Sequence, residues 1–153
     1  MSDFQARIKR MNKMFGVRAP SVPTMYTEYD SNISALGRLL RFKQIMQDEL
    51  DEVDDIISLL TSGKEDSLDV LVPLADWLGD IQVYAASEMC RWGLPNDLVL
   101  TCILDAQDSK LMPDGTPWVE NGKFQKGPNY VPPEPAIRKL LETLISVSNG
   151  ASL

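Results

Sequence analysis

The sequence predicts an all-α helical bundle with a small hairpin and an extended proline-rich tail segment. Apolar residues recur at helical spacing in several long segments. The chain has 153 residues, of which 44% are hydrophobic, which is enough for the core of one ordinary domain. A compact hairpin signal occurs at Asn121-Gly122, between Trp118-Val119-Glu120 and Lys123-Phe124-Gln125. We therefore interpret residues 1–153 as a single domain.

The first two predicted helices lie in the N-terminal part of the chain. Residues 3–15 form a short helix with an apolar face, and Pro20 and Pro23 end it in an extended connector. Residues 30–60 then form one long helix, with Asp30 or Ser31 as the cap.

Three further helices and two irregular segments follow. A strong helix covers 73–92, with Pro73 in its first turn and Gly93 as the stop. Asn96 caps the next helix. A turn at 113–115, the hairpin and the extended segment 127–133 follow. A last helix covers 134–147, and its predicted buried face contains Ile137, Leu140, Leu141 and Leu144.

The composition excludes several kinds of chemistry. The chain contains no histidine, so a Ser-His or Cys-His nucleophilic pair and an imidazole metal ligand are both impossible. Cys90 and Cys102 are too few for a disulfide framework or a zinc site, and we interpret them as small core residues. The net charge of −7 disfavours nucleic acid polymers and anionic membranes as partners. Any chemistry must use carboxylates, lysines, tyrosines or a hard cation.

The predicted long helix carries an acidic residue on its apolar side. Because each residue advances about 100° around a helix, Glu49 falls near the middle of the apolar stripe and Glu52 falls near its edge. Asp51 and Asp54 fall on the opposite, solvent-facing side. A buried carboxylate must be neutral, paired or bound to a metal, so Glu49 is a candidate functional residue.

The helix 73–92 repeats this pattern with Asp76 and Asp80, which lie one turn apart. Antiparallel packing of the two helices would bring four carboxylates together: Glu49, Glu52, Asp76 and Asp80. Such a cluster needs a cation, and ligation by oxygen alone selects Mg²⁺, Mn²⁺ or Ca²⁺. A calcium-sensor loop is absent from the sequence. The main alternative is that Arg38 or Arg41 pairs with these acids.

The acidic motifs resemble those of the all-α nucleotide pyrophosphohydrolases, a superfamily that includes MazG-like enzymes, dimeric dUTPases and phosphoribosyl-ATP pyrophosphohydrolase. Asp48, Glu49 and Glu52 match its Glu-Glu-x-x-Glu motif with one conservative change. Asp80 matches the end of its Glu-x-x-Asp motif, whereas Trp77 replaces the glutamate. Asp76 lies on the same helix face and is the expected substitute.

The C-terminal part strengthens the resemblance. Residues 105–111, the Asn-Gly hairpin and residues 126–133 resemble the end of a phosphoribosyl-ATP-pyrophosphohydrolase-like branch. The resemblance thus covers roughly residues 30–135. It implies a nucleotide substrate held on Mg²⁺, with Mn²⁺ as a possible replacement, and a homodimer or homotetramer. Both long helices are apolar over much of their surface, which also favours self-association.

The same resemblance assigns roles to further residues. The metal ligands would be Glu49, Glu52, Asp76 and Asp80, and Asp48 or a glutamate would accept a proton from the attacking water. Lys110 and Lys126 would contact phosphate, with Arg38 and Arg41 as weaker candidates. Asn129 and Tyr130 would close over the ribose or base, and the alternative for Tyr130 is a ring that packs the tail onto the bundle. The expected reaction splits a nucleoside triphosphate into a monophosphate and pyrophosphate.

Two other functions stay open from the sequence. The first is a phosphoribosyl-ATP pyrophosphohydrolase, and the second is a non-catalytic helical interaction or regulatory protein with ion-paired acids. We expect a cytoplasmic protein, because the sequence lacks a secretory signal pattern and an apolar run long enough to span a membrane.

Overall fold

The computed structural model describes residues 3–26, 33–63 and 66–150. The elements are mostly helical, as the sequence predicts, with one two-stranded sheet. In chain order they are α1 (Asp3–Met14), α2 (Ala35–Asp51), α3 (Val53–Ser62), α4 (Ser67–Arg91), α5 (Asn96–Asp108), β1 (Val119–Glu120), β2 (Lys123–Phe124) and α6 (Glu134–Gly150). No helix in these three ranges is long and apolar enough to cross a membrane.

The predicted long helix 30–60 is wrong in two respects. Helix α2 begins only at Ala35, because the Ser34 side chain accepts a hydrogen bond from the backbone N–H of Gly37 at 3.1 Å. The proposed caps Asp30 and Ser31 lie outside the described residues. The second difference is a break at Glu52, which ends α2 and precedes α3. The acidic motif therefore lies at the junction of two helices.

Helix α4 begins six residues earlier than predicted. Asp66 caps it by accepting from the backbone N–H groups of Leu68 and Asp69, and the Asp69 side chain accepts from the Asp66 N–H in return. Pro73 consequently lies inside the helix and not in its first turn. Gly93 ends the helix as predicted, with φ of +68°; a Cβ there would lie 2.0 Å from the carbonyl oxygen of Val22.

The core is small and centres on α4. Helices α1, α2, α3 and α5 all pack against α4, and α6 packs against α5. The buried apolar side chains of the described residues come from five segments: Ile8, Tyr26, Ile56, Ala86, Val99 and Ala106. Asn96 is buried in the first turn of α5 and Pro95 is the cap, which corrects the predicted cap by one residue. The α6 residues predicted to bury that helix are only half-buried.

The hairpin and the tail follow the sequence prediction. Val119 pairs with Phe124 and Glu120 pairs with Lys123 in an antiparallel register. Asn121 and Gly122 have φ of +50° and +73°, which is the left-handed geometry of a type I′ turn. The chain then returns in an extended form to the end of α5, and this return brings Lys126 near Lys110.

Candidate active site

Glu49 is the buried acid that the helix pattern predicts. It lies in the last turn of α2 with 9% of its surface exposed, whereas Asp51 and Asp54 are exposed. The indole N–H of Trp77 on α4 donates to the backbone carbonyl of Glu49 at 2.7 Å. This contact fixes the end of α2 against α4, so the acidic motif of one helix faces the acidic motif of the other.

The surroundings of Glu49 favour its protonated form. Burial raises the pKa of Glu49 above its usual value, and the nearby charges of Glu52, Asp80 and Asp48 raise it further. The hydroxyl of Tyr84 donates a hydrogen bond to the Glu49 carboxylate, which opposes this rise. The same contact raises the pKa of Tyr84, because the hydroxyl must keep its proton to donate. The buried carboxyl group of Glu49 is therefore surrounded by several other acidic side chains.

The other predicted ligands are more exposed than Glu49. Glu52 lies at the α2–α3 junction, and Asp76 and Asp80 lie one turn apart on α4; all three side chains are exposed in the single chain. Asp48 is also exposed and accepts from the Gln44 amide at 2.7 Å. Within the described ranges, no three acidic or cysteine side chains converge closely enough to hold a metal ion. Glu52, Asp80 and Asp48 nevertheless lie near enough to Glu49 for their charges to raise its pKa.

Arg38 does not pair with the acids of this cluster. Its guanidinium binds the carboxylate of Glu88 on α4 through Nε, at 3.0 Å to each oxygen, and through Nη2. Arg38 and Glu88 are each only 6% exposed. Arg41 is exposed and makes no ion pair with any residue in the described part of the chain. The arginine pairing considered as the non-catalytic alternative is thus absent from the contacts described.

Four of the predicted substrate contacts lie together at the end of α5. The backbone N–H of Gly127 donates to the carbonyl oxygen of Lys110 at 2.9 Å. The ammonium of Lys126 lies 4.5 Å from the ring centroid of Tyr130, a cation–π contact. Asn129 is exposed beside them. Within the described residues, no hydrogen bond or ion pair joins this lysine cluster to the acids of α2 and α4.

Glycine is required at position 127 by this close approach. A Cβ there would lie 2.6 Å from the Lys110 carbonyl oxygen and 2.7 Å from that of Leu111. Ser109 reinforces the contact, because its hydroxyl accepts from the N–H of Val131 at 2.9 Å. The two ends of the hairpin segment are therefore held against the end of α5.

Sequence reasoning did not identify three residues that shape the site. Trp77 was noted only as a departure from a motif, yet it anchors α2 to α4. Tyr84 shares a helix face with Asp80, at i+4, and this spacing was the available signal for its contact with Glu49. Glu88, another turn along α4, lies on the same face and accepts from Arg38.

Comparisons with known proteins support the fold. A crystal structure of a "putative NTP pyrophosphohydrolase" from Exiguobacterium sp. 255-15 is similar to this chain, with a TM-score of 0.50 and 16% sequence identity. The similarity covers 96% of this chain and 98% of that one. No protein-family model and no curated protein matches the sequence. At this identity the likeness concerns the helical architecture over the whole chain.

Proposed function

We propose that this protein is a Mg²⁺-dependent nucleoside triphosphate pyrophosphohydrolase of the all-α superfamily, in the MazG-like or phosphoribosyl-ATP-pyrophosphohydrolase-like branch related to dimeric dUTPases. The observation that supports this most directly is the buried Glu49, whose pKa is raised by burial and by the surrounding acids. The helical architecture shared with the Exiguobacterium protein agrees with the same reading. The cytoplasm is the proposed compartment.

The chemistry of the donor set fits a hard divalent cation. All four proposed ligands are carboxylates, namely Glu49, Glu52, Asp76 and Asp80, and the chain has no imidazole to favour zinc. Two of them, Glu52 and Asp80, are close enough to raise the pKa of Glu49. The side chains of Glu52, Asp76 and Asp80 are exposed, and the proposal requires them to rotate so that their oxygens turn toward the cation. Mn²⁺ is the proposed substitute for Mg²⁺.

The reaction consumes one water and breaks one phosphoanhydride bond, giving a nucleoside monophosphate and pyrophosphate. When bound, the cation would neutralise phosphate charge and polarise the phosphoryl group. Asp48 or one of the glutamates would accept the proton of the attacking water, because no histidine exists to do so. Lys110 and Lys126 would bind phosphate oxygens, and Asn129 and Tyr130 would contact the nucleoside.

Arg38 has a different place in this proposal from the lysines. Its Nε and Nη2 are used by Glu88, so a direct role at the acid cluster is not supported by its contacts. The pair instead holds α2 against α4, and this indirectly positions Glu49.

The proposal is tested by replacing Glu49 with glutamine. Glu49→Gln removes the central charge and keeps the shape, so pyrophosphate release in Mg²⁺ should fall by roughly 100-fold or more. The matched control is Asp51→Asn, an exposed acid on the other side of the same helix, which should keep wild-type turnover. Phosphorus NMR on a nucleotide panel identifies the products and the preferred base. Full activity in Glu49→Gln would refute the assignment.

A second variant tests the fourth ligand. Asp76→Asn should lower turnover if Asp76 replaces the glutamate that Trp77 displaces from the motif. Unchanged turnover there, with loss in Asp80→Asn, would reduce the site to three carboxylates.

We also propose that the protein is a homodimer or homotetramer. Many large apolar side chains of α2, α3 and α4 are more than half exposed in the single chain: Leu36, Leu39, Leu40, Leu60, Leu68, Leu71 and Val72. The exposure of so many large apolar side chains favours an interface with a second copy. A second copy would also shield the exposed acids of the site from water.

A further inference from the structure

A cavity of about 190 Å³ lies where the hairpin segment returns to the end of α5. This volume is below the roughly 300–1,000 Å³ of sites that enclose a whole drug-sized ligand, so the cavity has room for one ring system of a larger molecule. Its lining comes from α5, the residues after α5 and the hairpin: Gln107, Asp108, Lys110, Leu111, Pro117, Trp118, Phe124 and Gln125.

Two aromatic residues form much of the apolar part of this lining. Trp118 and Phe124 are 45% and 61% exposed, respectively. The hairpin fixes their backbone, because Phe124 pairs with Val119 and the carbonyl oxygen of Trp118 accepts from the N–H of Gln125 at 2.8 Å. The indole N–H of Trp118 also donates to the Glu120 carboxylate at 3.2 Å, which orients the ring. Aromatic side chains of this kind are the surfaces on which nucleobases stack in proteins.

The polar part of the lining suits the edge of an uncharged ring. Asp108 and Lys110 have opposite charges, so the lining is neutral as a whole and offers no excess of positive charge for a phosphate. The side chains of Gln107 and Asp108 make no hydrogen bond or ion pair with any residue in the described part of the chain. An amide both donates and accepts, whereas a carboxylate accepts only. Nucleobase edges carry donors and acceptors that match these two groups.

The cavity lies beside the lysines that are proposed to bind phosphate. Lys110 lines the cavity, and its carbonyl oxygen accepts from the N–H of Gly127, the residue after Lys126, at 2.9 Å. A nucleotide whose base occupies the cavity can therefore extend its phosphates toward both lysines.

Helix lengths relate the cavity to the acid cluster. Residues 92–95 connect α4 to α5, and a connection this short favours antiparallel packing of the two helices. Gln107 lies 11 residues after the start of α5, and Asp80 lies 11 residues before the end of α4. Each is thus roughly 16 Å along its helix from the connection, so we expect the two residues at the same level of the bundle. One substrate that contacts both places requires this arrangement.

We propose that this aromatic cavity binds the base of the nucleotide substrate and favours bases with an exocyclic amino group. The inference rests on the proposed function, which supplies the nucleotide as the class of ligand. The base stacks on Trp118, Phe124 adds apolar surface, and the amino group donates to the carboxylate of Asp108. Cytosine has such an amino group, whereas uracil has a carbonyl oxygen at the same position and would face the carboxylate with a second acceptor.

The test is isothermal titration calorimetry of the full chain in EDTA, with cytidine monophosphate, uridine monophosphate and ribose 5-phosphate as the probes. EDTA removes divalent cations, so binding does not depend on a metal at the acid cluster. Wild type should bind the cytidine nucleotide at least about fivefold more tightly than ribose 5-phosphate, because stacking of the base is added to the phosphate contacts. It should prefer cytidine to uridine by roughly tenfold or more, as expected for one hydrogen bond to a charged acceptor.

Three variants assign these effects to residues. Trp118→Ala should weaken the affinity for cytidine monophosphate by roughly fivefold or more, and Trp118→Phe, which keeps an aromatic ring, should retain most of the affinity. Asp108→Asn should remove the preference for cytidine over uridine, because an amide can donate to one base and accept from the other. The matched control is Phe15→Ala, an aromatic residue that is 74% exposed after the end of α1, and it should bind like wild type.

Several outcomes would overturn the proposal. These are equal affinity of wild type for cytidine monophosphate and ribose 5-phosphate, no binding of either, or an unchanged affinity in folded Trp118→Ala. Unchanged affinity together with a shift of Trp118→Ala toward monomer in light scattering would identify the hairpin as an interface between copies. Equal affinity for cytidine and uridine would refute the role of Asp108.

Failure of this inference is distinguishable from failure of the proposed function. Pyrophosphate release by wild type in Mg²⁺, without a contribution of Trp118 to nucleotide affinity, would refute the base site alone. Base-dependent binding through Trp118, without pyrophosphate release from any nucleotide, would refute the proposed reaction and leave the base site in place.

Discussion

Replacement of Glu88 by glutamine should be among the most destabilising single changes in this chain. The carboxylate accepts from Nε and Nη2 of Arg38, from the indole N–H of Trp92 at 2.7 Å, and lies 3.7 Å from Nε of Arg91. Glutamine keeps the volume and one acceptor oxygen but removes the charge. Arg38, which is only 6% exposed, would then be a buried cation without its counter-ion.

The magnitude follows from this burial. Removal of one partner from a buried ion pair costs about 3–5 kcal/mol in the free energy of unfolding. For a domain of this size each kcal/mol lowers the Tm by roughly 2–4 °C, so we expect a fall of roughly 6–20 °C. The matched control is Glu142→Gln, whose pair with Arg138 has side chains that are 80% and 64% exposed. That variant should change the free energy of unfolding by less than about 0.5 kcal/mol.

The assay is urea unfolding followed by circular dichroism, at one protein concentration for all variants because self-association would contribute to the measured stability. A loss below about 1 kcal/mol in Glu88→Gln would refute the reasoning, since it would mean that the Arg38 charge is solvated or paired elsewhere. The double variant Arg38→Met/Glu88→Leu gives a further check. It removes both charges together and should recover most of the stability lost in the single variant.

The remaining predictions concern Glu49 and the apolar surface. The pKa of Glu49 is raised in the folded state, so its contribution to stability is present below pH 4.5 and is lost as the pH rises through the folded pKa. Metal-free Glu49→Gln should therefore gain stability relative to wild type as the pH rises above 4.5, seen as a growing difference in urea midpoints; parallel midpoints would contradict the raised pKa. Leu40→Lys, on the exposed side of α2, should shift the protein toward monomer in light scattering, whereas Val147→Lys on α6 should not. A wild-type monomer at micromolar concentration would contradict the proposed assembly.

The helical content follows from sequence patterns, but several boundaries depend on other information. Periodicity is a property of whole segments, so it identified every helical segment that the structure describes, although it predicted α2 and α3 as one helix. The start of α2 was misplaced because Asp30, Ser31 and Ser34 are all capable caps, and local sequence does not rank them. The break at Glu52 carries no glycine or proline to signal it. The start of α4 was misplaced because Pro73 was given more weight than the capping box of Asp66 and Asp69.

Some features of the candidate site were likewise predictable from the sequence, and others were not. Burial of Glu49 was predictable, because rotation around one helix depends only on sequence spacing. The partner of Arg38 was not predictable, because Glu88 lies 50 residues away in the sequence. Whether Arg38 pairs with Glu88 or with an acid of the cluster depends on how α2 packs against α4. Likewise, spacing placed Tyr84 near Asp80 but could not show that its hydroxyl reaches Glu49. The roles of the acids and lysines in catalysis stay predictions that the activity assays address.

The contact between Gly127 and Lys110 also bears on how this chain can be engineered and how it can diverge. Residues 111–126 leave the end of α5 and return to the same point, where the backbone nitrogen of Gly127 lies 2.9 Å from the carbonyl oxygen of Lys110. Such a closed surface excursion can change in length or sequence without moving its anchor points. The hairpin tip at Asn121-Gly122 is accordingly a suitable place for an epitope tag or a fluorescent reporter, because an insertion there would leave Lys110 and Lys126 in their present positions.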